Sequence, residues 1–363
     1  MSAQNSTSLD GDEGLTFKCV VWDLDDTLWH GTLLEGDEVA LKPGVQNVIL
    51  ELDRRGILQS IASKNDHQAA WETLIRLGLD EYFLLPQISW ANKSESIKTI
   101  ATQLGIGLDT CAFIDDQPFE RDEVRHFLPE VTAIDAADID ELLTMPRMQP
   151  RFVTSESRIR RKMYHADIRR NQSESEFPGS REDFLEKLGM CMTIRRAVDS
   201  DLRRAEELTI RTNQLNATGR MYSYEELAQL VSSSDHLLLV AELEDRYGAS
   251  GTIGLALIQR GPEVALLKLL IMSCRVISRG VGGVMLSYIL QYARRRGLGM
   301  RAQFVSGARN RMMYVTYKFH GFYEIGRQDD VLLLEHDLET IRAFPRSVLV
   351  RLPDDPDTSF ISE

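Results

Sequence analysis

Asp23-Leu-Asp25-Asp-Thr27 follows directly on the apolar run FKCVVW, which spans residues 17–22. A strand sends alternate side chains to one side, so Asp23 and Asp25 converge where this strand ends. Paired carboxylates there can divide the labour of phosphoryl transfer, one attacking phosphorus or binding metal and the other moving a proton. Three further groups of suitable type follow. The run ILQSIAS ends at Ser63, a hydroxyl donor for a phosphate oxygen, with Lys64 and Asn65 next to it. Lys93, in WANKSESI, precedes a helix and can stabilise negative charge on a phosphoryl group and on Asp23. CAFI ends in Asp115-Asp116, hard oxygen ligands suited to Mg²⁺.

The elements that must position these residues alternate. Strand-like FKCVVW, ILQSIAS and TCAFID are separated by helical PGVQNVILELDRRG, HQAAWETLIRLG and SESIKTIATQLG. Such alternation predicts a parallel sheet with helices on both faces and ligands at the carboxyl ends of its strands. The boundaries read as a catalytic domain over 15–146, a charged helical connection over 147–189, a second α+β domain over 190–340 and a tail over 341–363. In the connection, Arg158, Arg160, Arg161, Lys162, Arg169 and Arg170 read as a solvated helix face able to dock an acidic protein.

At 363 residues, two domains are the natural expectation. A net charge of −13 argues against general nucleic-acid binding, which needs a basic surface. No apolar run is long enough to span a membrane, and the polar, acidic start lacks signal-peptide order, so the expected location is the cytoplasm. Cys19, Cys111, Cys191 and Cys274 lack metal-ligand spacing and are expected as reduced thiols, Cys19 and Cys111 in the core.

Taken together, the four N-terminal motifs resemble those of the haloacid-dehalogenase superfamily. That resemblance implies Asp23 as nucleophile and metal ligand, and Asp25 as acid/base with its main-chain carbonyl on Mg²⁺. Thr27 would support the loop, Ser63 and Lys93 would hold the phosphoryl group, and Asp115 with Asp116 would complete the metal site. Asp at position 25 favours phosphatase or transferase chemistry over carbon–halogen cleavage. From MTIRRA onward, the order strand, two helices, three strands, Gly-rich turn, helix, strand, helix, strand resembles the Gcn5-related N-acetyltransferase (GNAT) fold. There a turn after the fourth strand offers backbone N–H groups to the pyrophosphate of coenzyme A. The corresponding stretch runs from Ser273 through Gly283. It carries a thiol, Cys274, where a bound thioester is expected, flanked by Arg275 and Arg279, which could favour thiolate.

Over residues 17–335 the chain resembles the FkbH-like family, on KCVVWDLDDTLWHGTLLEGDEV, IASKNDHQAAWETLIRLGL, AFIDDQPFERDEV, RTNQLNATGRMYS and LKLLIMSCRVISRGVG. His30 departs from the W-G-G turn of many relatives. The resemblance implies glyceryl transfer from 1,3-bisphosphoglycerate to an acyl carrier protein for a methoxymalonyl-type polyketide extender, with dephosphorylation. Cys274 would carry the glyceryl group in transit, Asn213, Asn216 and Arg275 would face substrate, and Lys64 and Asn65 would stand at the phosphate. Two other readings are weighed: a phosphatase fused to a conventional acetyl-CoA-dependent N-acetyltransferase, and a second domain that only recruits a carrier.

Overall fold

The sequence Cys-Val-Val-Trp of β1 (Cys19–Trp22) shows no polar alternation because all four residues are buried, as the middle of a parallel sheet requires. The computed structural model describes residues 16–36, 38–212, 215–307 and 310–353. After β1 come the two-residue pair β2 (Trp29–His30) and β3 (Ala40–Leu41), then α1 (Val45–Arg55), β4 (Leu58–Ser63), α2 (His67–Arg76) and β5 (Gln87–Ile88). They are followed by α3 (Lys93–Leu104), β6 (Cys111–Asp115), α4 (Pro118–Phe127) and β7 (Thr132–Asp135). The sheet order is β5-β4-β1-β6-β7, every pairing parallel. Right-handed crossovers from β1 towards β4 and back towards β6 put helices on opposite faces, and the reversal of direction falls at β1. The haloacid-dehalogenase-like Rossmannoid sheet expected from the sequence is therefore present, with Asp23, Ser63 and Asp115 at the carboxyl ends of its three central strands.

Cys19 and Cys111 are buried neighbours on β1 and β6; burial pushes both thiols up, Cys111 to about 12. Both are core residues. His30 is exposed and pairs with Ala40 in the β2–β3 ladder, a place that makes no demand for glycine.

α5 (Ser155–Ser175) contains the boundary between two compact units, residues 1–165 and 166–363. Its expected solvated cationic face is corrected in part: Arg160, Arg161 and Arg170 are buried, whereas Arg158, Lys162 and Arg169 are exposed. Arg160 donates to the Gly56 carbonyl at 2.7 Å, and Arg161 pairs with Asp53 and Glu81, both at 2.9 Å. Arg170 pairs with Asp245 at 2.8 Å. These guanidinium groups hold α5 to its own units and are not a docking face.

In the second unit, α6 (Arg181–Lys187) precedes β8 (Met190–Arg196), α7 (Leu202–Arg211), α8 (Tyr224–Ser232), β9 (His236–Asp245), β10 (Gly248–Arg260) and β11 (Val264–Met272). A 3₁₀ turn over Cys274–Arg279 leads into α9 (Gly282–Arg295), β12 (Gly299–Val305), α10 (Arg311–Phe319), β13 (Tyr323–Gln328), β14 (Val331–His336) and β15 (Val348–Arg351). The sheet runs β13-β14-β12-β11-β10-β9-β8-β15, and its element order is the GNAT-like one read from the sequence. β13 and β15 are additions. β15 lies in the stretch read as a tail and pairs parallel with β8.

β11 and β12 pair only from Val264↔Gly299 to Leu267↔Ala302. Beyond that they separate, and residues 215–217 take up the freed backbone groups. Ala217 N donates to Leu270 O, Met272 N to Leu215 O and Val305 N to Ala217 O, each at 3.0 Å. Among the described residues no helix is long and apolar enough to cross a membrane.

Gly56 ends α1 with φ +71°, and a Cβ there would lie 2.8 Å from the Ser157 backbone. Gly78, at φ +68°, has open space around it. Gly78→Ala should cost about 1 kcal/mol for the left-handed backbone alone. Gly56→Ala should cost about 2 kcal/mol or more, because the helix start cannot move aside. Urea denaturation of the two variants checks the difference.

Candidate functional site

Each carboxylate of the first unit is placed by a strand end. Asp23 N donates to Ile114 O at 2.9 Å, which fixes the loop after β1 against β6. Asp23, Asp115 and Asp116 each bring a carboxylate oxygen within 4.8 Å of the others. Lys93, the first residue of α3, is buried and reaches both Asp23 and Asp115, the latter at 3.0 Å. A cation at a helix N-terminus opposes the helix dipole, so these carboxylates, not the helix, hold it there.

Three carboxylates facing one ammonium leave excess negative charge in a site largely closed to water. Burial pushes Asp23 up, against the pull of Lys93 and a hydrogen bond from Ser63. Burial, and then the charge of Asp23, push Asp115 up to about 6, with Lys93 opposing; Asp116 is raised by the same two causes. Burial draws Lys93 down, but Asp23 and Asp115 outweigh it and leave the ammonium above its usual value. Clustered hard oxygens with unanswered charge fit Mg²⁺, and Asp23, Asp115 and Asp116 would hold it.

Asp25 stands apart from that cluster. Its carboxylate accepts from Trp29 Nε1 at 2.8 Å, Leu33 N at 3.2 Å and Asn65 Nδ2 at 2.9 Å. It is thus held in one orientation. Thr27 Oγ1 lies 3.3 Å from Asp116 Oδ1 and accepts from Asp116 N at 3.0 Å, tying the first motif to the last.

Two expectations at this site change. Lys64, expected at the phosphate, pairs with Glu120 at 2.8 Å. Asn65 serves Asp25 and the Asp66 N–H rather than a phosphate. Trp29 and Gln117, whose N–H donates to Asp115 Oδ1 at 2.8 Å, were not foreseen as site residues. Trp29 stands four residues after Asp25 with an indole donor, which was the available signal.

In the second unit Cys274 is half-buried and opens the 3₁₀ turn before α9, as the Gly-rich turn implied. Gly283 lies against His320, whose Nε2 would be 2.5 Å from a Cβ there, so only glycine fits. The two flanking arginines do not serve the thiol as expected. Arg279 donates to Ser250 Oγ at 2.8 Å and pairs with Asp167 and, at 3.5 Å, Asp245. Arg275 donates to Ser250 O at 2.9 Å and lies 3.7 Å from Asp167. With Arg170 they share Asp167 and Asp245, three guanidinium groups to two carboxylates, so both flanking arginines are engaged in this ion-pair network.

Asn216 is buried with its amide committed to its own loop, donating to Arg220 O and accepting from Thr218 N and Gly219 N. Asn310 clamps the same loop, donating to Asn216 O at 3.1 Å and Val305 O at 2.8 Å. The hydrogen bonds of the Asn216 side chain thus shape its own loop. Asn213 lies outside the described residues.

No protein-family profile matches the chain, and no curated protein does. Among solved structures, the first unit is similar to the N-terminal part of BF1531 from Bacteroides fragilis, which contains a phosphatase domain complexed with Mg. The two are 32% identical over 36% of this chain and 40% of that one, with a TM-score of 0.29. The second unit is similar to the ribosomal-protein-S18-alanine N-acetyltransferase of Escherichia coli, at 17% identity over 41% of this chain and 95% of that one, TM-score 0.33. It is also similar to the PaiA N-acetyltransferase of Thermoplasma acidophilum in complex with coenzyme A, at 18% identity over 40% and 98%, TM-score 0.33. With scores this low, fold and site rest on the geometry above.

An acid whose pKa is raised on folding adds stability below its ordinary 3.8 and loses it as pH climbs, here to about 6 for Asp115. Metal-free Asp115→Asn should therefore melt no lower than the parent at pH 7, and the two should converge towards pH 4. A ligand at 100 times its Kd adds about 2.7 kcal/mol. Mg²⁺ should give that gain to the parent and little of it to the variant, as read by thermal denaturation.

Proposed function

We propose that the chain transfers a glyceryl group from 1,3-bisphosphoglycerate to the phosphopantetheine thiol of an acyl carrier protein and removes phosphate at its first unit. The observation that carries the phosphatase half is the buried Asp23–Lys93–Asp115 cluster with Asp25 oriented beside it. The transferase half is supported by a GNAT-like sheet whose turn presents Cys274, and by the FkbH-like motifs that join both halves in one chain.

At the first unit, Asp23 attacks phosphorus of the phosphomonoester. The P–O bond to the glyceryl oxygen breaks, and Asp25 gives that oxygen its proton. Asp25 then takes a proton from water, which attacks the aspartyl phosphate and releases inorganic phosphate and Asp23. Lys93 offsets the charge of Asp23, so that a phosphate dianion can approach, and Ser63 supports it with a hydrogen bond. Bound Mg²⁺ supplies charge neutralisation for the phosphoryl oxygens.

At the second unit, the Cys274 sulfur attacks the carbonyl carbon of the acyl phosphate. The C–S bond forms, the C–O bond to phosphate breaks, and phosphate departs with the electron pair. The thiol proton passes to solvent. The carrier thiol then attacks the thioester and returns Cys274 to its thiol.

Incubation with labelled 1,3-bisphosphoglycerate, Mg²⁺ and holo acyl carrier protein should add a glyceryl mass to the carrier, read by intact-protein mass spectrometry. Absence of that mass would sink the proposal, and acetylation of an amine from acetyl-CoA would replace it with conventional acetyltransfer. Asp23→Asn should lower hydrolysis of the phosphomonoester, read with p-nitrophenyl phosphate, at least about 1,000-fold while leaving acyl transfer and its release of the acyl phosphate in place. Cys274→Ala should abolish acyl transfer, and with it release of the acyl phosphate, and leave p-nitrophenyl phosphate hydrolysis intact; a variant that still transfers the acyl group would remove the covalent step alone.

A further inference from the structure

Between the start of α9, helix α10 and the stretch 342–345 lies a cavity of about 550 Å³. Met272, Val276, Met313 and Pro345 are among its walls, and Val276 belongs to the same turn that Cys274 opens. Several apolar side chains that line it are also exposed to solvent: Ile277, Met312, Val315 and Phe319, the last at 62%. A contiguous apolar rim of this kind around a concave site marks a binding surface more often than a solvated one.

Positive charge predominates beside that rim, opposed on the α10 flank by Glu324, which accepts from Tyr314 between Arg311 and Lys318. On α10, Met312, Val315 and Phe319 form one stripe at helical spacing, and Arg311 and Lys318 lie along its flank, both exposed. Across the cavity, Arg342 lies over the Phe319 ring, 3.7 Å from its centroid, and donates to Phe319 O at 2.9 Å. Exposed Arg346 follows Pro345. No carboxylate is among the described residues lining the cavity. On a chain of net charge −13 this is a local reversal of sign. Arg311 sharpens the point: it occupies the first turn of α10, the end where the helix dipole disfavours a cation, so the helix itself gives no reason for it.

We propose that this face, the Arg311–Lys318 flank of α10 together with Arg342 and Arg346, docks the acidic surface of a carrier protein, and that the cavity receives the arm the carrier bears. The assignment rests on the carrier reading above. It is preferred to the face of α5, where Arg160, Arg161 and Arg170 are buried. Complementary charge guides encounter and register, while the apolar rim supplies the contact that closes over the arm.

The test uses the full chain and a fluorescently labelled acidic acyl carrier protein in its holo form, with binding followed by anisotropy at low and at physiological salt. Arg311→Glu/Lys318→Glu should raise Kd about tenfold or more and flatten its salt dependence. Glutamate suits the first turn of α10 better than arginine does, so lost binding is not lost fold. Arg342→Glu/Arg346→Glu provides the independent second variant, expected to weaken binding similarly. Hydrolysis of p-nitrophenyl phosphate, a first-unit activity, should be unchanged in both. Carrier binding by both variants equal to the parent's overturns this surface and leaves the carrier reading standing. A parent that does not bind the carrier overturns both together. A concentration-dependent doubling of mass in the protein alone, abolished by the same substitutions, would assign the face to a second copy of the chain and overturn the proposal.

Discussion

Lys93 binds two carboxylates that come from different strands, and the first unit is arranged around that contact. Asp23 follows the central strand, Asp115 ends its neighbour, and the ammonium arrives from the start of a helix on the far side of another crossover. None of the three is comfortable alone. The carboxylates are raised by burial, and the lysine sits at the wrong end of a helix dipole. Each is tolerable because the others are there. The parallel sheet is what makes the meeting possible, since it delivers its strand ends to one edge.

That arrangement also separates two roles that carboxylates of the same type might otherwise share. Asp23 belongs to a charged, buried cluster, whereas Asp25, two residues on, is held by an indole, a backbone N–H and a side-chain amide. Environment distinguishes the two carboxylates, and the distinction is built from neutral donors around Asp25 rather than from a second cation.

Much of this was legible in the sequence because it is local. A strand that ends in acid, a hydroxyl at the next strand end and a lysine before a helix can be read from order and periodicity, and so can the alternation that predicts the sheet. What could not be read depends on contacts between distant residues. Lys64 and Arg279 are cations whose partners, Glu120 and Asp167, lie 56 and 112 residues away in the chain. Arg161 and Arg170 of α5 are buried because carboxylates meet them, and a helix with so little apolar patterning gives no sign of that. β15 is four residues long, and β13 is exposed throughout, so neither carries the apolar pattern by which strands are recognised. Asn216 looked like a residue kept free for a ligand; it is a turn-former whose loop bonds two separated strands.

That loop bears on how the second unit comes together. Strands that part company leave backbone donors and acceptors that something must satisfy. Here Leu215 and Ala217 do so from within the chain, clamped by Asn310. The backbone groups freed where the strands part are thus met by the chain's own loop. Residues 215–217 are also far in sequence from both strands they join, so closing the gap is a long-range event that follows formation of the individual hairpins.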